Sequence, residues 1–384
     1  MVVLAVAVVL GRSTPSVEVR FSMDQAKALD GDEIEFTVYC NASTACAVTF
    51  LVDLPAGLEL VTPPPTVQLT SGSTAATKGR LLCRRWGVRK VGAGRIQVRD
   101  TASTFAYEQS TEPAIALRVY PRPEQLRSLV QPQMLRPRFG SFVSRAAGTG
   151  LEFADIREFH SGDQRRHINW KATARHRQMH VNLFHPEWGS DVVLLLDTFS
   201  DVVGETASSL DLAVRGATSA AMFCLARRDR VGLLSIGSQM RWLLPGMGIR
   251  QLYRIVNSLM ETQLAFSFSW PLADAIPRGA IPAGALTLVL TPLVDRRTPT
   301  IVRDLLGRGH DIAVVEIAAD AMLPASANQR EEIARRLWAL YRQTLRQQYR
   351  QMGLAVSVWR PGDSLQSPLM ELQAFRRTSR RVHA

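Results

Sequence analysis

Val192-Val-Leu-Leu-Leu-Asp197, VVLLLD, is an unbroken apolar run closed by a carboxylate. A run of this length without alternation belongs to a strand buried on both faces, as in a parallel sheet covered by helices. The chain beyond it repeats the theme. A strand over Asp191 to Leu196 is followed by a helix from about Ala207 to Arg227, strand VGLLSI (Val231 to Ile236) and a hairpin partner MRWLL (Met240 to Leu244). After a turn at Pro245-Gly246 come a helix from about Ile249 to Met260, strand LTLVLT (Leu286 to Thr291), a helix around Ile301 to Gly307 and strand DIAVVEI (Asp311 to Ile317). A long helix from about Gln329 to Gln351 precedes strand LAVSVW (Leu354 to Trp359). Such alternation predicts a Rossmann-like α/β domain over 191–360, mostly parallel, with its ligand crevice at the carboxyl ends of the strands.

Working back, residues 15–122 read differently. VEVRF (Val17 to Phe21), EIEFTVYC (Glu33 to Cys40), AVTFLVDLP (Ala47 to Pro55), RIQVRD (Arg95 to Asp100) and AIALRVY (Ala114 to Tyr120) alternate with period two. Asp30-Gly31, Pro55-Ala56-Gly57 and Pro63-Pro64-Pro65 punctuate them, which predicts an antiparallel β-sandwich. The fold class is therefore multidomain α+β, a β-sandwich followed by an α/β domain. No clustered histidine, paired carboxylate or glycine-rich phosphate loop marks the β-rich part, so it reads as a packing or interaction module. Tyr120-Pro121-Arg122-Pro123 closes it, since the two prolines break helix and ladder alike. Residues 123–190 form a basic connector interrupted by Pro132, Pro137, Gly140 and Gly148, and 361–384 a basic tail.

The net charge of +12 and pI near 10.3 favour an anionic partner: an acidic protein face, a lipid surface or nucleic acid. Basicity is scattered, with no base-reading motif, which argues against nucleic acid. Cys40, Cys46, Cys83 and Cys224 lack metal-ligand spacing and read as free thiols, with a Cys40–Cys46 disulfide as the alternative. Residues 1–12 begin MVVLAVAVVL, and a ten-residue helix reaches only about 15 Å where a hydrocarbon core needs about 30 Å. This segment is either the remnant of a membrane helix or a buried first strand.

Between the two domains lies REFHSGDQRRHINWKATARHR, Arg157 to Arg177. It gathers Arg157, Arg165, Arg166, Lys171, Arg175 and Arg177 around two carboxylates, Glu158 and Asp163, with Trp170 in the middle. Gly162-Asp163 suits a tight turn whose carboxylate accepts paired hydrogen bonds from Arg165, Arg166 or Arg175. Trp170 to Arg177 is predicted helical, with Trp170 and Ala174 on one face and Lys171 and Arg175 on the next. Arg157, Asp163, Arg165, Arg166, Trp170, Lys171, Thr173 and Arg175 thus form either an interdomain staple or a docking surface.

This block resembles the hallmark of the bacterial family named domain of unknown function 58: Arg157 and Phe159, Gly162 and Asp163, Arg165 and Arg166, Ile168 and Trp170, then Thr173 to Arg175 before a strand ending in aspartate. RRWGVRKVG (Arg84 to Gly92) also resembles a line of that family. The resemblance implies membrane association, a von Willebrand factor A-like domain after the block, and work alongside a MoxR-type AAA+ ATPase. The function it implies is a non-enzymatic adaptor or scaffold that binds the ATPase or its client protein, on the cytoplasmic side of a membrane, or in the cytoplasm if Met1 is the native start. Resemblance to von Willebrand factor A domains further implies a metal-ion-dependent adhesion site with an Asp-x-Ser-x-Ser loop. Here Asp197-Thr198-Phe199-Ser200-Asp201 departs from that pattern, and the later strand ends in Thr291-Pro292 with Asp295 three residues on. Asp197, Ser200, Asp201 and Asp295 make a degenerate site for magnesium at best, so no cofactor is expected.

A metal-dependent enzyme or metal-binding protein is the alternative. It would use the Asp197 loop or the histidines between His160 and His185, where His176 and His180 have the i,i+4 spacing of a helical zinc pair. A strand beginning near Met179 is expected to separate that pair. In the helix after Asn328, Ile333, Leu337, Tyr341, Leu345 and Tyr349 form an apolar stripe expected to face the sheet. Arg335, Arg342, Arg346 and Arg350 form a basic face expected in solvent, where with Arg376, Arg377, Arg380 and Arg381 it would suit anionic lipid.

Overall fold

Strands occur in both halves of the described chain, but two different kinds of sheet result. The computed structural model describes residues 16–382 apart from 52–53, 93, 102–105, 112–114, 133–147, 161–162, 164, 185–189, 206, 238, 263–275 and 278. The segment 1–12, Gly162, His185 and the side chains of Arg166, Arg380 and Arg381 lie outside the described residues. The chain divides into two units, 1–123 with 256–263, and 124–255 with 264–384.

The first unit holds β1 (Val17–Met23), β2 (Lys27–Leu29), β3 (Glu33–Ala42), β4 (Cys46–Leu51), β5 (Leu58–Thr62), β6 (Val67–Leu69), β7 (Thr74–Cys83), β8 (Gly87–Val91), β9 (Gly94–Asp100), β10 (Ala106–Thr111) and β11 (Ile115–Tyr120). They form sheets in the orders β1-β3-β7-β5, β10-β9-β4-β6 and β2-β11-β8, antiparallel except for the β2–β11 pair. One apolar core joins all three sheets, with Phe36, Val38, Leu81, Ile96, Val98, Leu117 and Val119 buried in it. β7 is central, yet TAATKGRLLC carries little apolar signal before its last residues. Its Gly79 is required by packing, because a Cβ there would lie 2.4 Å from the Phe36 ring. All four described cysteines are free and buried.

The second unit contains a hairpin, β12 (Gly148–Glu158) with β13 (His180–Phe184), and helix α1 (Trp170–His176) between them. Its six-stranded sheet consists of β14 (Asp191–Asp197), β15 (Arg230–Ile236), β16 (Arg241–Gly246), β17 (Leu286–Thr291), β18 (Asp311–Ile317) and β19 (Ala355–Trp359). The order is β16-β15-β14-β17-β18-β19, parallel except for β16. Helices α2 (Ser209–Ala226), α4 (Arg297–Gly307), α5 (Gln329–Gln351) and α6 (Gln366–Val382) belong to this unit, as does α3 (Gly248–Met260) as far as Ile255. β14 is buried from Val192 to Asp197, as a central strand covered on both faces must be. Among the described residues no helix is long and apolar enough to cross a membrane.

In place of the expected basic tail, residues 366–382 form α6. α6 buries Leu369 and Leu372, and Arg376 is buried with its guanidinium on Asp311 of β18. The start of the connector also belongs to this unit. Glu124 accepts from Leu365 N at 2.8 Å, Gln366 Oε1 accepts from Arg127 N at 2.7 Å, and Leu129 and Val130 are buried.

α5 keeps only part of the expected amphipathicity, with the last two residues of the apolar stripe buried and the first three exposed. Its start is capped as expected, Glu331 N donating to Asn328 Oδ1 at 3.0 Å, and Leu345 and Tyr349 are buried. But Ile333, Leu337 and Tyr341 are exposed, while Arg342 is 1% exposed. The cause is Glu316, a fully buried carboxylate near the carboxyl end of the apolar strand β18. Arg342 Nε donates to its Oε1 at 2.7 Å, and Arg346 Nη1 reaches both oxygens at 2.9 and 3.0 Å. Arg342 also donates to Ile317 O and Asp320 Oδ1, with Trp338 packed against its guanidinium at 4.9 Å. Leaving a buried carboxylate unpaired costs more than exposing a few apolar side chains, so Arg342 and Arg346 turn inward.

Candidate functional site

The Arg157–Arg177 block is built around one ion pair. The chain reverses after β12, with Asp163 N donating to His160 O at 3.0 Å, and this carries the Asp163 carboxylate back over the strand end. Arg157 then forks onto it, Nη1 to Oδ2 at 2.8 Å and Nη2 to Oδ1 at 2.7 Å, and His160 N adds a third donor at 2.7 Å. Of the expected donors, neither Arg165 nor Arg175 is in this fork, and the Arg166 side chain lies outside the described residues; Arg157, six residues before Asp163, makes the fork. The Arg157 fork, helped by the His160 backbone, holds the Asp163 carboxyl below the usual carboxylate range despite partial burial. Asp163→Ala, which leaves the Arg157 guanidinium unpaired, is expected to lower stability by about 1–2 kcal/mol in a denaturant melt.

α1 forms where the sequence predicts it. Asn169 caps its first turn by accepting from Ala172 N at 3.0 Å and donates to Asn182 Oδ1 of β13 at 2.7 Å. Thr173 faces the hairpin, its Oγ1 accepting from His180 N at 3.1 Å. With Ala172 and Thr173 turned inward, Trp170, Lys171, Ala174 and Arg175 point out. Arg165 and Arg177 are exposed as well, and Trp170 is 71% exposed. The Trp170 ring therefore does not act as a buried staple.

The helix ends at Arg177 in the left-handed region (φ 59°), which folds the chain straight back into β13. The strand consequently does not separate His176 from His180; their rings lie 5.0 Å apart. Among the described residues, no three His, Cys, Asp or Glu side chains are grouped to hold a metal.

The crevice at the carboxyl ends of β14 and β17 holds the other expected residues. Asp197 is 1% exposed. Its Oδ1 accepts from Phe199 N at 3.0 Å, and its Oδ2 accepts from Thr291 Oγ1 at 2.7 Å and Thr298 Oγ1 at 2.8 Å. Burial nevertheless pushes its carboxyl up to about 6. Thr198 ties the loop to β15 by donating to Ile236 O, and it passes so close to Gly237 that a Cβ there would lie 2.1 Å from its hydroxyl. Asp201 caps α2, accepting from Ser209 Oγ and Leu210 N. Asp295 is gripped by Arg297, whose guanidinium lies 4.1 Å from the centre of the Phe199 ring.

A magnesium ion wants several oxygens in near-octahedral array at about 2.0–2.1 Å. Of the four expected contributors, Asp197, Asp201 and Asp295 already serve protein donors, and only the buried Ser200 Oγ lacks a partner among the described residues. The residues do not fit the ion. Thr298 and Arg297 escaped the sequence reading; the charged run Asp295-Arg296-Arg297-Thr298 directly after a buried strand is the signal that could have found them.

No curated protein matches this chain. Solved structures share short stretches of it at low similarity. The FixG-related protein from Vibrio parahaemolyticus is 11% identical, over 28% of this chain and 98% of that one, with TM-score 0.20. The cupredoxin domain of amoB from Nitrosocaldus yellowstonii is 11% identical, over 33% and 98%, with TM-score 0.21. PapD-like domain 7 of human CEP192 is 10% identical, over 29% and 92%, with TM-score 0.22. Residues 155–329, from the end of β12 through the block and the crevice to the start of α5, match the model of the family described as protein of unknown function DUF58, so this part of the chain is similar to that family.

Proposed function

We propose that this protein is a non-enzymatic adaptor that binds another polypeptide, with the outward face of α1 as its docking surface. One observation carries the reading: Trp170, 71% exposed, stands among the exposed Arg165, Lys171, Arg175 and Arg177. Tryptophan and arginine are the side chains that dominate binding energy at protein interfaces, and a large indole in solvent is otherwise a liability. The cations ask for an acidic surface around the pocket that takes the ring. α1 is pinned to the hairpin by Asn169 and Thr173, so its outward side chains meet a partner on a rigid support.

The resemblance of the block suggests which partner to try first, a MoxR-type AAA+ ATPase or its client, beside a membrane. The order of the six strands, with an aspartate ending β14, is what a von Willebrand factor A-like domain would have, and we read it as one. Purified MoxR-type ATPase titrated with the full chain tests the proposal. Trp170→Ala should weaken binding by tenfold or more, and Lys171→Glu with Arg175→Glu should abolish it at physiological salt, with the melting temperature unchanged in both. Equal affinity for the wild type and Trp170→Ala would remove α1 from the interface.

A further inference from the structure

We propose that Arg297 is the resident cation of the crevice. Its guanidinium stands where an adhesion-type site would recruit a divalent ion, and it joins the loops after β14 and β17 without metal. Three observations converge on this. First, Arg297 neutralises Asp295 through a complete fork: its backbone N and Nε donate to Oδ1 at 2.8 and 2.9 Å, and Nη2 donates to Oδ2 at 2.7 Å. Second, the same guanidinium sits 4.1 Å over Phe199, the residue that replaces an oxygen-bearing position of the adhesion loop. The ring that removes a metal ligand thus supplies a seat for a planar cation. Third, the neighbouring Thr298 donates to Asp197, so one helix start brings both the cation and the hydroxyl to the two carboxylates.

A metal and Arg297 exclude each other here. Coordinating Asp295 requires breaking the fork, and an ion beside an intact guanidinium meets like charge in a partly buried place. The side-chain exposures, 15% for Arg297 and 22% for Asp295, show that water screens this pair little. The consequence is a crevice whose loop geometry does not respond to divalent cations. This inference is independent of the docking role given to α1, since it is read from metal response and not from partner binding.

The test uses the full chain. Melting temperatures are measured in EDTA and in millimolar Mg²⁺ or Mn²⁺, and Mn²⁺ binding is followed by electron paramagnetic resonance. The wild type should bind no stoichiometric Mn²⁺ and melt at the same temperature in all conditions. Arg297→Ser bares Asp295 next to Asp197; it should melt lower in EDTA, recover part of the loss in Mg²⁺ or Mn²⁺, and gain a Mn²⁺ signal. Arg297→Lys keeps the charge and should stay indifferent to metal. If Arg297→Ser does not fold, the wild-type signal and Arg297→Lys decide. Stoichiometric Mn²⁺ on the wild type that Asp197→Asn removes would overturn the proposal. So would a folded Arg297→Ser that ignores metal.

Discussion

Arg342→Ala is expected to cost about 3–5 kcal/mol, the effect of stripping one partner from a buried ion network. Glu316 is fully buried in β18, and after the substitution Arg346, a quarter exposed, would be its only remaining counterion among the described residues. Arg342 also satisfies Ile317 O and holds Asp320, so one change unties the end of β18 from α5. The loss should appear as a lower midpoint in denaturant. Replacing the pair together, Glu316→Leu with Arg342→Met, should be less damaging than Arg342→Ala alone, because no buried charge is then left without a counterion. Leu337→Asp, on the exposed face of α5, should change stability by no more than about 0.5 kcal/mol. A reversed order, with Leu337→Asp the worse variant, would mean that the apolar stripe and not the arginines faces the sheet.

The second large effect depends on pH. The Asp197 carboxyl ordinarily titrates near 3.8 and burial raises it to about 6 in the folded protein, against the opposing bonds from Thr291, Phe199 N and Thr298. Between these values the folded chain holds a proton that the unfolded chain has released, so the contribution of this residue to stability falls as pH rises through the window. Above about pH 6 the whole cost is in force, and a shift of about two units corresponds to about 3 kcal/mol. Asp197→Asn removes the titration. The stability of the wild type minus that of Asp197→Asn should therefore decline by that order from pH 4 to pH 7, read from denaturant midpoints of both proteins. Groups whose titration is the same in both proteins cancel in the difference. A difference that rises with pH would show a carboxylate favoured by a nearby cation more than it is penalised by burial.

Much of the architecture could be read from residue order because the signals are local. VVLLLD declares a strand buried on both faces, and five of the N-terminal strands alternate cleanly. α1 follows from helical propensity, while its Asn169 cap was found in the structure. What escaped has a common physical cause. β7 is a strand because β3 and β5 flank it, and its own residues carry weak preference. Asp163 finds Arg157 and not Arg165 because a turn brings the strand end within reach, which residue spacing alone does not express.

α5 shows the boundary most clearly. Its periodicity offers Ile333, Leu337, Tyr341, Leu345 and Tyr349 as one inward stripe, yet the fold buries only Leu345 and Tyr349 of it, together with Arg342. The choice rests with Glu316 on another strand. In the crevice, likewise, the sequence alone determined that Asp197 ends a buried strand and that an aromatic residue, Phe199, follows two positions later. Only the tertiary structure decided that Arg297 and Thr298, about a hundred residues later, would meet them. Periodicity and propensity act between neighbours along the chain, whereas pairing a buried charge is a demand made across space, by whichever side chains the packed elements bring within hydrogen-bonding distance.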